Sequence, residues 1–204
     1  MDVLVPESHE GRRAHFENEA ALMEKLTHGQ QPKIMYVGCS DSRVMPSRIF
    51  GAVPGDVFVM RNIANIIPPA DAQDRAVGAV VEYAVNHLHV EHIVVCGHSQ
   101  CGGIQSLGFP YDDAEPALSR WLDYARPVHH NVAPDLKGAA RLNAMIEANV
   151  LLQVQNLRTH PCVQKAEAAG KLQVHAWVYD FKSGLVRAYD EVMRSFIEEP
   201  PFNA

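Results

Sequence analysis

The sequence is short of positive charge, of long apolar runs and of cysteine, and each shortage excludes a class of protein. Its 204 residues carry 18 Lys and Arg against 24 Asp and Glu, a net charge of −6. No global basic field is therefore present to recruit nucleic acid or an anionic membrane surface. The apolar runs fall short of the ~20 residues that a membrane-spanning helix needs. The four cysteines are too few for the disulfide framework of a small secreted domain.

The beginning of the sequence, Met1–Glu7, lacks the basic start and apolar segment of a secretory signal. We therefore expect a cytoplasmic protein whose cysteines are free thiols or metal ligands. Hydrophobic residues make up 47% of the chain and charged residues 21%, which is an ordinary globular balance. We expect one domain over residues 1–204, with residues 1–30 as an N-terminal helical arm.

Apolar patterning predicts alternating strands and helices in the first half of the chain. Buried strands are predicted at 33–38, 56–61 and 92–96. An amphipathic helix is predicted over 11–28, and a second helix over 74–88. This alternation predicts an α/β fold with a mainly parallel central sheet flanked by helices.

The second half is predicted to be helical from 114 to 169, with interruptions at Pro127 and Pro134 and one long helix over Gly138–Arg158. After it, the apolar segments Leu172–Phe181 and Leu185–Tyr189 are separated by Lys-Ser-Gly. That pattern predicts a hairpin at the C-terminal edge of the sheet.

Two short strings of metal-binding residue types follow predicted strands. Cys39-Ser-Asp-Ser-Arg43 comes after the first strand, and His98-Ser-Gln-Cys101-Gly-Gly103 follows the strand at 92–96. Ligands collect at the carboxyl ends of parallel strands, so these strings are expected to meet in space. Two thiolates and one imidazole suit tetrahedral Zn²⁺, and three protein ligands leave one position open. The strings therefore predict a zinc site.

The fourth zinc position has two possible occupants. Asp41 could bind the metal directly and close the site, or it could pair with Arg43 and leave water on zinc. In the second case zinc lowers the pKa of the water from about 15.7 to roughly 7 and supplies a nucleophile at neutral pH. An ionised Asp41 would then orient that hydroxide.

The strings C-S-D-S-R and H-S-x-C-G-G resemble those of the β-class carbonic anhydrases, and the resemblance extends from about Glu17 to Tyr189. The segment Arg61–Pro69 and the helix Val77–Leu88 look like the plant-type branch. The resemblance implies reversible hydration of carbon dioxide to bicarbonate and a proton by zinc-bound hydroxide. It also implies that zinc is bound by Cys39, His98 and Cys101, and that the gating pair is Asp41 with Arg43.

The same resemblance implies a substrate pocket. In it, Gln30 hydrogen-bonds bicarbonate, the Gly102 amide holds an oxygen, and an apolar wall faces carbon dioxide. In the family such walls come from both subunits of a dimer, so a homodimer or a higher even oligomer is implied. The wall consists of Phe58, Ile63 and Tyr83.

One position departs from a second branch of the family, which holds bicarbonate in a non-catalytic pocket with a tryptophan three residues before the first cysteine. Tyr36 occupies that position here, although Arg61 and Tyr179 match other members of the pocket. We therefore expect an open site, with water on zinc at neutral pH.

Interpretations in which these residues have only a structural role stay open at this point. Cys39 and Cys101 could be buried thiols that pack as small apolar groups, as is expected of Cys96. Asp41 and Arg43 could be a surface ion pair of little energetic weight. Two rival functions also remain: hydrolysis of carbonyl sulfide or carbon disulfide at the same site, and a non-catalytic protein with a closed structural zinc.

Overall fold

A six-stranded sheet in the order β2-β1-β3-β4-β5-β6 forms the centre of the computed structural model, which describes residues 6–110 and 113–198. The first four strands pair in parallel, and β5 and β6 continue the sheet with antiparallel pairing. The mainly parallel sheet and the C-terminal hairpin are thus confirmed. The strands are β1 (Ile34–Cys39), β2 (Val57–Asn62), β3 (His92–His98), β4 (Gln173–Tyr179), β5 (Val186–Asp190) and β6 (Ser195–Glu198).

Helices cover the sheet, and their bounds differ from the prediction at several points. The helices are α1 (Pro6–Asn18), α2 (Ala20–Leu26), α3 (Pro46–Phe50), α4 (Arg75–Glu82), α5 (Gly102–Gln105), α6 (Pro116–Leu122), α7 (Pro127–Asn131), α8 (Gly138–Leu157) and α9 (Pro161–Ala168). A π-helical turn, Tyr83–His87, continues α4.

The prediction of a single helix over 11–28 is wrong. Glu19 leaves helical geometry (φ −113°, ψ 14°) and separates α1 from α2. The helical region is interrupted before Pro127, in agreement with the prediction, and this proline begins α7. A proline is tolerated there because the first helical residue has no intrahelical partner for its N–H. The C-terminal hairpin of β4 and β5 is followed by a further antiparallel strand, β6, which the sequence pattern did not predict.

The central strands are buried because apolar layers cover both faces of the sheet. Side chains from β1 and β3 alternate between a large cluster under α4 and α8 and a smaller cluster around Tyr36, Cys96 and Trp177. This explains why both strands have nearly continuous apolar sequences. Their carboxyl ends lie side by side at one edge of the sheet. None of the helices within the described ranges has the length and hydropathy to cross a bilayer.

Candidate metal centre

Three buried side chains meet at the carboxyl ends of β1 and β3. Cys39 ends β1, His98 ends β3, and Cys101 precedes the first turn of α5. One ligand atom from each of the three lies within 4.8 Å of the other two. Their exposed fractions are 5%, 1% and 1%. The sequence-predicted group is therefore assembled and shielded from solvent.

The nitrogen of His98 that faces this group is free to bind a metal. Its Nδ1 lies 2.9 Å from the carbonyl oxygen of Ser99, which can only accept, so Nδ1 is the donor. The lone pair is thus left on Nε2, which is buried and has no hydrogen-bond partner within the described residues. A second hydrogen bond that fixes the tautomer is typical of metal-binding histidines.

The two sulfurs share a proton where a cation would fit. The Cys101 thiol donates to Cys39 Sγ over 3.9 Å. That hydrogen bond lowers the pKa of Cys39 and raises the pKa of Cys101, which supplies the proton. A divalent cation would replace this proton and stabilise both thiolates. Two sulfurs and one imidazole nitrogen in a buried cluster fit Zn²⁺.

Asp41 is engaged by Arg43. The Arg43 guanidinium donates to both carboxylate oxygens, from Nε to Oδ1 over 2.9 Å and from Nη2 to Oδ2 over 2.7 Å. The arginine holds the pKa of the Asp41 carboxyl well below its usual range. Oδ2 lies 3.9 Å from His98 Nε2, beyond hydrogen-bond distance. The carboxylate therefore faces the metal-binding group while it is bound to the arginine.

Further contacts hold Arg43 in this position. Its Nη2 also donates to the carbonyl oxygen of Gln100 over 3.2 Å, and its guanidinium lies 4.5 Å from the centre of the Phe181 ring. The Phe181 ring also packs against His98, with ring centres 5.1 Å apart. Sequence reasoning missed Phe181, since nothing in its sequence neighbourhood indicates that it reaches this group.

Arg61 binds the backbone of the same loop. It donates from Nε to the carbonyl oxygen of Cys39 over 2.9 Å and from Nη2 to that of Asp41 over 2.6 Å. The ring of Tyr36 is fully buried and packs over Gly38, where an added Cβ would overlap it. Arg61 thus steadies the loop between Cys39 and Asp41, and the sequence did not predict these contacts.

The predicted substrate residues are only partly brought together. Ile63 lies near the metal-binding group, where a Cβ added at Gly103 would come within 2.9 Å of its Cγ2. Phe58 and Tyr83 pack against each other with ring centres 5.9 Å apart. Phe58 lies four residues before the end of β2, about 13 Å along the strand. These two rings therefore do not line the metal-binding group of their own chain.

The other two predicted substrate residues are exposed. Gly102 begins α5, directly after Cys101. Gln30 lies in the loop between α2 and β1. It precedes the amino end of β1, whereas Cys39 is at the carboxyl end of the same strand. Within the described residues no hydrogen bond connects Gln30 to the metal-binding group.

The chain is similar in sequence and in fold to known proteins. Residues 34–186 match the family described as carbonic anhydrase. Over 189 residues the chain is 41% identical to a carbonic anhydrase of Pseudomonas aeruginosa, with 91% of this chain and 86% of that protein covered. A Synechocystis carbonic anhydrase is 36% identical over 97% of this chain and 74% of its own length. The solved structure of the β-carbonic anhydrase CcaA superposes with a TM-score of 0.92 at 35% identity, covering 98% of this chain and 92% of that one.

Proposed function

The chain belongs to the β-carbonic anhydrase family, and we propose that Cys39, His98 and Cys101 bind its zinc ion. The enzyme catalyses the reversible hydration of carbon dioxide. The observation that carries the residue assignment is the buried, unpartnered Nε2 of His98 beside two sulfurs that share one proton. When bound, zinc supplies a Lewis acid that makes water nucleophilic at neutral pH.

We propose that Asp41 and Arg43 serve the reaction without binding the metal. Because the pKa of Asp41 is depressed by Arg43, its carboxylate is ionised at neutral pH and can accept a hydrogen bond from the attacking water at Oδ2. Such a bond would orient a lone pair of the water toward carbon dioxide. The two hydrogen bonds from Arg43 hold the carboxylate in that role. This arrangement favours the open site over the closed structural zinc.

Three further assignments are also proposals. We assign the chain to the plant-type branch, which is supported by Tyr36 filling the space over Gly38 and by the engagement of Arg61 with backbone carbonyls. A cytoplasmic location is supported by the four cysteines, none of which forms a disulfide. The single domain proposed over residues 1–204 is supported by one continuous apolar cluster that contains residues from Met35 to Phe196. The N-terminal arm proposed over residues 1–30 is supported by α1 and α2, whose described side chains do not belong to that cluster.

We further propose that the active unit is a homodimer whose subunits meet along β2. β2 is an edge strand of the sheet, and Val59 on it is 45% exposed. A groove of about 760 Å³ runs beside it, and exposed apolar surface of this kind marks contact sites. The separation of Phe58 and Tyr83 from their own metal-binding group is explained if they line the partner's site. The apolar lining of the groove includes Phe16, Met23, Met45, Val53, Val57 and Val59.

Replacement of Val59 by aspartate is expected to dissociate the dimer, since it places charges on both sides of an apolar contact. We expect a monomeric mass in light scattering and at least about a tenfold loss of CO2 hydration, because the apolar wall would be removed. The matched control is Val192→Asp, at a position 94% exposed in the turn between β5 and β6. An unchanged mass for Val59→Asp, or a fully active monomer, would contradict the shared site.

Stopped-flow measurement of CO2 hydration before and after zinc removal tests the proposed function. The zinc-loaded protein is expected to hydrate CO2, to lose the activity with a chelator and to regain it with added zinc. Carbonyl sulfide and carbon disulfide serve as comparison substrates in parallel assays. Undiminished hydration after zinc removal, or turnover of the sulfur compounds alone, would reject the assignment.

A further inference from the structure

We infer that Phe181 is a positioning residue for Arg43, and that its ring holds the guanidinium in the place from which Arg43 binds Asp41. The inference rests on the proposed function, in which the Asp41 carboxylate serves the reaction without binding the metal. Phe181 lies in the turn between β4 and β5, far from these two residues in the sequence. The turn therefore brings a distant part of the chain to the metal centre.

The ion pair between Arg43 and Asp41 does not fix its own position. The two residues are two apart on one loop, and their side chains are 49% and 17% exposed. Exposed pairs compete with water and cost side-chain entropy, so they are weak constraints. The guanidinium is tied to other parts of the chain by its bond to the Gln100 carbonyl oxygen and by the Phe181 ring. These two contacts place the ion pair relative to the rest of the site.

The Phe181 ring offers the guanidinium a fixed aromatic surface. Arg43 Cζ lies 4.5 Å from the ring centre, within the range in which a cation is attracted to an aromatic face. Two other rings contact Phe181, with centres 5.1 Å away in His98 and 5.6 Å away in Tyr179. Phenylalanine also has no acceptor that would compete with Asp41 for the N–H groups of the arginine. The ring therefore orients the guanidinium and leaves its donors to the carboxylate.

Hydrogen bonds fix the turn that carries the ring. The Phe181 N–H donates to Ser99 Oγ over 2.9 Å, and the Ser99 N–H donates to the carbonyl oxygen of Tyr179 over 2.9 Å. The Asp180 carboxylate accepts from the N–H and the hydroxyl of Ser183 over 3.2 and 2.8 Å. Bonds from an aspartate side chain to the residues that follow it stabilise a tight turn. The backbone of Phe181 is therefore fixed both by the segment after β3 and by the turn itself.

The segment after β3 also binds the imidazole and the guanidinium. The Ser99 carbonyl oxygen accepts from His98 Nδ1, and the Gln100 carbonyl oxygen accepts from Arg43 Nη2. Because the Ser99 hydroxyl accepts from the Phe181 N–H, the ring, the imidazole and the guanidinium share one support. The position of the ring relative to the other two groups is thus set by the fold.

Loss of the ring would release one face of the guanidinium to water. Arg43 would then leave Asp41 more often, since its remaining contacts are exposed hydrogen bonds. The Asp41 carboxylate lies 3.9 Å from His98 Nε2, so without its partner it can approach the metal-binding group. Phe181 thus helps to keep the carboxylate available to the attacking water.

The test compares Phe181→Leu and Phe181→Tyr with wild type, all loaded with zinc. Leucine keeps an apolar side chain without an aromatic face, and tyrosine keeps the face. The main readout is the rate at which the Arg43 Nε–H exchanges with solvent, measured by NMR, because exchange requires its bond to Asp41 to open. The Nε–H of Arg61, which donates to the Cys39 carbonyl oxygen, serves as the internal reference. Zinc content, kcat and KM for hydration are measured on the same samples.

Phe50→Leu is the matched control. Phe50 packs against the same apolar cluster as Phe181 and stacks on Trp177 with ring centres 5.2 Å apart. The change removes a ring of the same size from an equally half-buried position. It is expected to lower the thermal midpoint, while the Arg43 exchange rate and kcat stay within about twofold of wild type.

In Phe181→Leu we expect the Arg43 Nε–H to exchange about three- to tenfold faster, which corresponds to the loss of a cation–π contact at a partly exposed site. The kcat is expected to fall by about the same factor, since misplacement of an orienting group slows the reaction. The Arg61 exchange rate, KM and one zinc per chain should be retained. Phe181→Tyr is expected to stay within about twofold of wild type in both exchange and kcat.

Wild-type exchange or a wild-type kcat in Phe181→Leu would overturn the inference, and so would a Phe181→Tyr variant that behaves like Phe181→Leu. Equal effects in Phe50→Leu would do the same, because they would follow from stability alone. A nuclear Overhauser effect between the Arg43 side chain and the Phe181 ring is expected in wild type, and its absence would overturn the inference even if no variant folds.

A wild-type protein that binds no zinc would instead overturn the proposed function. The exchange and Overhauser measurements would still report on the contact between the ring and the guanidinium. The two failures are therefore distinguishable.

Discussion

Cys39→Ser and His98→Ala are each expected to abolish zinc binding and CO2 hydration together. Serine offers a neutral hydroxyl in place of a thiolate, and alanine removes the buried nitrogen, so either change leaves two protein ligands where a zinc site needs at least three. Purified variants should contain no zinc by elemental analysis. Their rate of CO2 hydration should fall to the uncatalysed rate measured in buffer alone.

The matched control for this loss is Cys162→Ser. Cys162 is a half-buried free cysteine on α9 and is not part of the metal-binding group. The variant should keep one zinc per chain and its full rate. Full zinc occupancy and normal turnover in Cys39→Ser would show that the metal, or the chemistry, lies elsewhere.

Asp41→Asn is expected to keep zinc and to lose turnover. The amide has the shape of the carboxylate but not its charge, so it accepts a weaker hydrogen bond from the attacking water and no longer forms an ion pair with Arg43. Removal of a group that holds or accepts a proton in the transition state costs about 10²- to 10⁴-fold in rate. Stopped-flow hydration and zinc analysis on the same sample measure both effects.

Asp123→Asn provides the comparison for Asp41→Asn. Asp123 accepts from Arg126 Nε over 2.8 Å in an ion pair on the surface. Loss of such a pair has little energetic effect, so turnover should not change. A fully active Asp41→Asn variant would remove Asp41 from the mechanism. Loss of zinc from the same variant would show that Asp41 is a ligand and that the site is closed.

The parts of the fold and site that the sequence predicted are those with a local signal. Strands β1 and β3 are nearly continuous apolar segments because both sheet faces are covered, and the ligands follow directly at their ends. The helix predicted over 11–28 was wrong because a weakly amphipathic, charged segment does not determine where a helix breaks. β6 has only four residues and no strong alternation, so it was missed.

The parts of the site that could not be predicted depend on backbone geometry and tertiary contacts. Arg61 bonds to carbonyl oxygens, which every residue offers, so no residue type indicates its partners. Ala64, in the turn that follows β2, has a left-handed φ of 62°, and this conformation has no sequence signal because alanine does not favour it. Asn149 is one polar residue on a long helix, and its hydrogen bond over 3.0 Å to the carbonyl oxygen of Ala64 exists only because α8 packs beside that turn.

X-ray absorption at the zinc edge of the purified protein, at a pH above 8, identifies the atoms that bind the metal. We expect one zinc per chain with two sulfur ligands at about 2.3 Å and an imidazole nitrogen at about 2.0–2.1 Å. We expect the same spectrum for Asp41→Asn, since that carboxylate is held by Arg43 and not by the metal. Absence of zinc–sulfur scattering, or a zinc environment that changes when Asp41 is replaced, would contradict the proposed open site.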